Sequence, residues 1–150
     1  MKQEFHEVLQ LKAAPEAVWK TVSDIPTVLS WISIVGSVQE VQPGERYSVV
    51  LEDKLGPFRL RADLDIAVRE RVEGRSIRAT GDGEDRQAGS RLIIEVALDV
   101  AEREYGTELD VSGTYEVTGR PAALGAGSIR KKAAKILTEF FASAERSLAP

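Results

Sequence analysis

Three stretches of this chain alternate apolar and polar residues with a period of two, and no other feature narrows the possible folds as far. In the first, Phe58, Leu60, Ala62, Leu64, Ile66 and Val68 alternate with Arg59, Arg61, Asp63, Asp65, Ala67 and Arg69. In the second, Leu92, Ile94, Val96, Leu98 and Val100 alternate mainly with Arg91, Glu95 and Asp99. In the third, Leu109, Val111, Tyr115 and Val117 alternate with Glu108, Asp110, Ser112, Thr114 and Glu116. Successive side chains of a strand point to opposite faces, so each stretch has one face for a core and one for water. That is the signature of an antiparallel sheet; a parallel sheet covered on both faces would read as unbroken apolar runs.

The rest of the chain supplies the partners of those strands. Residues 3–12 read as a first strand. Ala13-Ala14-Pro15 then opens a short helix, with Pro15 at a first helical position where no N–H is needed. Its apolar stripe is Val18, Trp19 and Val22. Ser23-Asp24 followed by Pro26 starts a second helix, reaching about Trp31. From about Val35 the pattern turns to strands, with turns expected at Pro43-Gly44, Gly56-Pro57, Glu73-Gly74, Gly81-Asp82-Gly83 and Tyr105-Gly106. Pro121 opens a last helix reaching about Leu148, whose Ile129, Ala133, Ile136, Leu137, Phe140, Ala144 and Leu148 recur at helical spacing. Arg130, Lys131, Lys135 and Glu139 take the other side. The expected order is strand, two short helices, six strands, long helix, in one α+β domain spanning residues 1–150. A chain of 150 residues can bury a proper core.

Charge and composition exclude several classes. A net charge of −4 and a pI near 5.2 argue against nucleic-acid binding, which needs surplus Lys and Arg for the phosphates. The chain has no cysteine, hence no disulfide, no thiolate nucleophile and no Cys-based metal site. No apolar run approaches the ~18 residues of a membrane span, and the first residues lack an apolar signal core. A cytoplasmic protein is the simplest expectation. His6 is the only histidine, with no serine or carboxylate spaced to join it in a triad. Gly125-Ala126-Gly127 follows a strand and opens a helix, but Arg130 stands where a dinucleotide fingerprint has its third glycine, and too little chain follows for a second βαβ strand. Asp82-Gly83-Glu84-Asp85 lacks the ligand pattern of a calcium loop and reads as a hairpin turn. Catalytic residues, metal and cofactor are therefore expected to be none.

The order of elements resembles the helix-grip plan of the START-like (SRPBCC) superfamily, in which a curved antiparallel sheet of about seven strands wraps a long C-terminal helix. Particular segments are similar to the CoxG family of carbon monoxide dehydrogenase: Lys54-Leu55-Gly56-Pro57-Phe58, Ala79-Thr80-Gly81-Asp82-Gly83 with Gly89-Ser90, and Gly106-Thr107-Glu108-Leu109 leading to Val117-Thr118-Gly119-Arg120-Pro121-Ala122-Ala123-Leu124-Gly125. Phe140-Phe141 fits as well. The chain departs where that family has a Cys-Ile-Pro-Gly-like segment and this one has Trp31-Ile32-Ser33-Ile34-Val35-Gly36; Pro26 to Trp31 also looks like the coenzyme-Q-binding branch. The resemblance implies a non-enzymatic binder or carrier of a hydrophobic, quinone- or lipid-like molecule, held between sheet and helix. It also implies an accessory role beside a molybdenum hydroxylase such as carbon monoxide dehydrogenase.

The candidate site follows from the inward phases. Leu64, Ile66, Ile94, Val96 and Val111 offer an apolar wall from the sheet, and Ile136, Leu137, Phe140 and Phe141 offer one from the helix. Tyr47 and Tyr115 fall on inward phases and are placed to donate to a ligand carbonyl. Trp31, with Trp19, either forms the cavity mouth or packs over the open end of the sheet. The same residues can instead close on each other as a dry core, which would make the domain an interaction or assembly module. Arg130, Lys131, Lys132 and Lys135 form the most basic stretch, suited to an anionic membrane surface or acidic partner, or simply to water. An enzyme of the polyketide cyclase or dehydratase kind is the alternative from another class. It would need a titratable group in the pocket, whereas the carboxylates and arginines of the clean strands all fall on the outward phase.

Overall fold

The computed structural model describes residues 1–55, 58–85, 87, 89–120 and 125–150. Its elements are β1 (Lys2–Leu11), α1 (Pro15–Val22), α2 (Ile25–Leu29), β2 (Val35–Gln42), β3 (Arg46–Leu55), β4 (Phe58–Val72), β5 (Ser76–Asp85), β6 (Ser90–Arg103), β7 (Gly106–Gly119) and α3 (Ala126–Ser147). The seven strands form one sheet in the order β1-β7-β6-β5-β4-β3-β2, and every neighbouring pair is antiparallel. Strands β2 to β7 follow one another as hairpins, as their short turns require. Only β1 breaks the sequence: it pairs with β7, and α1 and α2 carry the chain from there to the opposite edge.

Of the expected turns, Gly44, Gly74 and Tyr105 fall between strands, with Gly106 opening β7. The expected Gly56-Pro57 turn and the opening at Pro121 lie outside the described residues. One expected turn is wrong. Gly81-Asp82-Gly83 sits inside β5, and Asp85 is still paired with Ser90 of β6. A Cβ on Gly81 would lie 3.0 Å from the Ile66 side chain, and one on Gly83 would lie 2.4 Å from the Asp63 carbonyl oxygen. These glycines mark a close approach of β4 and β5, a use of strand glycine that a sequence cannot tell from a turn. The second helix also ends at Leu29, before Trp31.

The α1 stripe is buried as its spacing requires: Val18 and Val22 are fully covered and Trp19 nearly so. Buried side chains gather in two clusters. One joins β1, α1 and the far part of α3 to Ile77, Leu98, Val100, Leu109 and Val111. The other joins Ile25 and Leu29 of α2 to Tyr47, Val49 and Leu51 of β3 and Leu64 of β4. Helix α3 turns Ile129, Phe140 and Ala144 inward, with Leu148 just beyond its end. Its far end is pinned by Trp31, whose indole N–H donates to Ser147 Oγ at 3.0 Å. Trp19 likewise donates to Glu73 Oε1 at 2.9 Å, tying α1 to the β4–β5 turn. No helix among the described residues is long and apolar enough to cross a membrane.

Candidate functional site

The two clusters do not merge into one core. Between them, under α3, lies a cavity of about 330 Å³, at the lower end of the range of small-molecule pockets. Leu64 and Ile66 of β4, Leu92, Ile94, Val96 and Leu98 of β6, and Val111, Tyr115 and Val117 of β7 form its sheet wall. These are inward positions of the three alternating stretches; Val49 and Leu51 of β3 and Ile77, Ala79 and Gly81 of β5 add to the wall. Helix α3 closes it with Ile129, Ala133, Ile136, Leu137 and Phe140, and α2 with Ile25, Val28 and Leu29.

The charged residues of the described lining come from neighbouring strand ends and from α3. Glu52 and Asp53 lie late in β3, Asp85 at the end of β5, Arg91 with Ser90 at the start of β6, and Lys132 on α3. Strand pairing puts these ends side by side: Glu52 faces Arg61 and Asp85 faces Ser90. Asp85 is itself buried and its Oδ2 accepts the Arg61 backbone N–H at 2.7 Å, which ties the β5 end to the β4 start. Lys132 Nζ lies 3.0 Å from Asp53 Oδ2, a bridge from α3 to β3. The opposite end is shut by the first cluster, where Trp31 and Phe140 meet edge to face at 5.6 Å.

Of the residues singled out from sequence, Leu64, Ile66, Ile94, Val96, Val111, Tyr115, Ile136, Leu137 and Phe140 line this space. Trp31, Tyr47 and Phe141 do not. Trp31 packs over the end of the sheet, the second of the two roles open to it. Tyr47 is buried in the second cluster with Ile25 and Leu29, one inward step along β3 from the lining residue Val49. Burial foremost, then the Glu40 carboxylate, raises its phenol above the ordinary value. Phe141 is one helical step past Phe140, which turns it away; the two rings meet edge to face at 5.2 Å. Burial raises the Tyr115 phenol too, with the Arg130 charge opposing.

Sequence reasoning missed other parts. Phe5 reaches the cavity from β1 because its partner on β7 is Gly113, where a Cβ would stand 2.6 Å from the ring. The first strand carries no alternation clean enough to assign that phase. Lys132 groups by charge with the outward Arg130, Lys131 and Lys135; Arg130, Lys131 and Lys135 are placed outward or at the flank, but Lys132 lies on the cavity rim. Its spacing held the signal, since it stands three residues after Ile129 and four before Ile136. His6 has a carboxylate neighbour after all: Nε2 is 2.9 Å from Asp110 Oδ1, on the exposed side of β1 and β7. Among the described residues no group of three His, Asp or Glu side chains is placed to hold a metal ion.

The family model of CoxG, a subunit of carbon monoxide dehydrogenase, matches residues 8–149. The chain belongs to the CoxG family. As a CoxG family member it shares its fold with many solved structures. A conserved protein from Geobacillus kaustophilus superposes with a TM-score of 0.81 at 19% identity, over 97% of this chain and 95% of that one. A START superfamily protein from Mycobacterium smegmatis gives 0.70 at 15% identity, over 97% and 96%. A protein from Chromobacterium violaceum gives 0.66 at 17% identity, over 98% of each chain. At these identities the likeness is one of fold, and that fold is the START-like helix grip. No curated protein matches the CoxG member by sequence.

Proposed function

We propose that this CoxG family member is a non-enzymatic carrier of an apolar, quinone- or lipid-like small molecule, working beside a molybdenum hydroxylase such as carbon monoxide dehydrogenase. The observation that carries the reading is the cavity: about 330 Å³ between two packed clusters, with walls that are mainly apolar and charged groups gathered at strand ends. A domain selected only to be stable would close such a space, because lost packing costs free energy in proportion to the void. The family's description, a subunit of carbon monoxide dehydrogenase, supports that choice of partner.

The enzyme alternative has less to support it. Of the charged lining groups, Lys132 and Asp53 hold each other, Arg91 is held by Asp82, and buried Asp85 accepts the Arg61 backbone N–H. General acid–base work needs a titratable group against the reacting bond, and among the described residues the mainly apolar walls offer the Tyr115 phenol. Arg130, Lys131 and Lys135 give α3 a cationic outer face for meeting an anionic surface during exchange. The test is organic extraction of the purified protein followed by mass spectrometry, with titration of the neutral dye N-phenylnaphthylamine into the stripped protein. A recovered apolar molecule and saturable dye binding are expected. Recovery of nothing, together with no dye binding, would favour an assembly module.

A further inference from the structure

The rim of the cavity decides which polar head a ligand can carry. Among the described residues its charged side chains are Glu52, Asp53, Asp85, Arg91 and Lys132. Both cations are engaged. Lys132 Nζ contacts Asp53 Oδ2 at 3.0 Å, in a pair whose side chains retain only 34% and 20% of their exposure. Arg91 is held in a fork by Asp82, with Nε to Oδ1 at 3.1 Å and Nη2 to Oδ2 at 2.8 Å. An anionic head arriving at this rim meets no uncommitted cation among the described lining residues. To take Lys132 for itself it draws that ammonium from Asp53 and leaves the Asp53 charge uncompensated. A half-buried carboxylate stripped of its partner is costly. An uncharged head displaces nothing. It also finds a neutral donor: the Tyr115 hydroxyl lines the cavity and has no hydrogen-bond partner among the described residues.

Resting on the reading of the cavity as a ligand site, we propose that the Asp53–Lys132 pair selects uncharged amphipathic molecules, such as alcohols, esters or carbonyl compounds, over carboxylate anions. Asp53 is the residue that sets this selectivity. It does so by neutralising the one lysine that an anion would use.

The experiment compares dodecanol with dodecanoate, equal in chain length, as displacers of N-phenylnaphthylamine from the full chain at a pH of about 8, where the acid is ionised. The alcohol is expected to bind roughly tenfold more tightly than the anion. Asp53→Asn frees Lys132 and should tighten dodecanoate about tenfold relative to dodecanol. Lys132→Met should give dodecanoate no gain. Thermal unfolding of both variants checks that the fold is kept. Equal affinity of the two displacers for the unaltered protein would overturn the proposal, as would an Asp53→Asn change that moves both alike. A protein that binds neither displacer nor dye refutes the cavity reading itself, and this inference with it.

Discussion

Replacing Phe140 with alanine tests the boundary between core and cavity at a single side chain. Phe140 is 9% exposed, belongs to the first buried cluster and also lines the cavity. Its ring meets Trp31 edge to face at 5.6 Å and 72°, and Phe141 at 5.2 Å and 89°. Truncating a phenylalanine in a solid core costs about 3–5 kcal/mol, part from lost transfer and part from the void left behind. Two edge contacts of about 0.5–1.5 kcal/mol each lie within that loss. One side of this ring already borders empty space, so part of the void penalty is present before the change. The expected loss is therefore at the low end, about 3 kcal/mol, read as a lower urea midpoint with an unchanged slope. The affinity for N-phenylnaphthylamine should change several-fold, because the wall it packs on has receded. Lys135→Ala, on the exposed side of α3, should alter neither quantity. A Phe140→Ala protein that loses about 5 kcal/mol or more and binds the dye as before would show that the ring faces solid core and that α3 does not shape the site.

Two further tests separate cavity from core and fix the state of the tyrosines. Ala133→Phe puts a ring into the lined space of about 330 Å³; dye binding should be lost while stability stays within about 1 kcal/mol or rises, and a drop of several kcal/mol would mean there was no room. Tyr47 and Tyr115 both have phenol pKa values raised, by burial first, above that of an unfolded chain. Between the two values the folded state holds more protons, so stability is full below a pH of about 10 and falls as pH climbs through the folded values. Urea midpoints between about pH 9 and pH 11 should show that decline, and Tyr47→Phe and Tyr115→Phe should each flatten it; slopes equal to that of the unaltered protein would contradict the cause assigned.

Legibility in the sequence followed the regularity of the local pattern. Alternation in β4, β6 and β7 gave Leu64, Ile66, Ile94, Val96, Val111 and Tyr115 of the cavity wall, because a strand's phase fixes which side chains share a face. Helical spacing did the same for Ile136, Leu137 and Phe140. Where a residue's role depends on what stands opposite, the pattern was silent. Phe5 enters the site only because Gly113 faces it across the β1–β7 ladder. Gly81 and Gly83 read as a turn because a glycine needed for close strand approach has the same letter as one needed for a reversal. Charge and neighbours assign Lys132 to solvent, although its position on the helix points inward.

The sequence by itself therefore determined the sheet, its inner and outer faces, the gripping helix and the family, since each rests on periodicity or motif along the chain. Only the tertiary structure decided that the inner faces stop short of closing. Whether apolar residues meet or leave a gap depends on the distance at which α3 is held over the sheet. That distance depends on contacts between residues remote in sequence, such as the hydrogen bond from Trp31 to Ser147 at the far end of α3. No local pattern carries that separation, and the cavity follows from it.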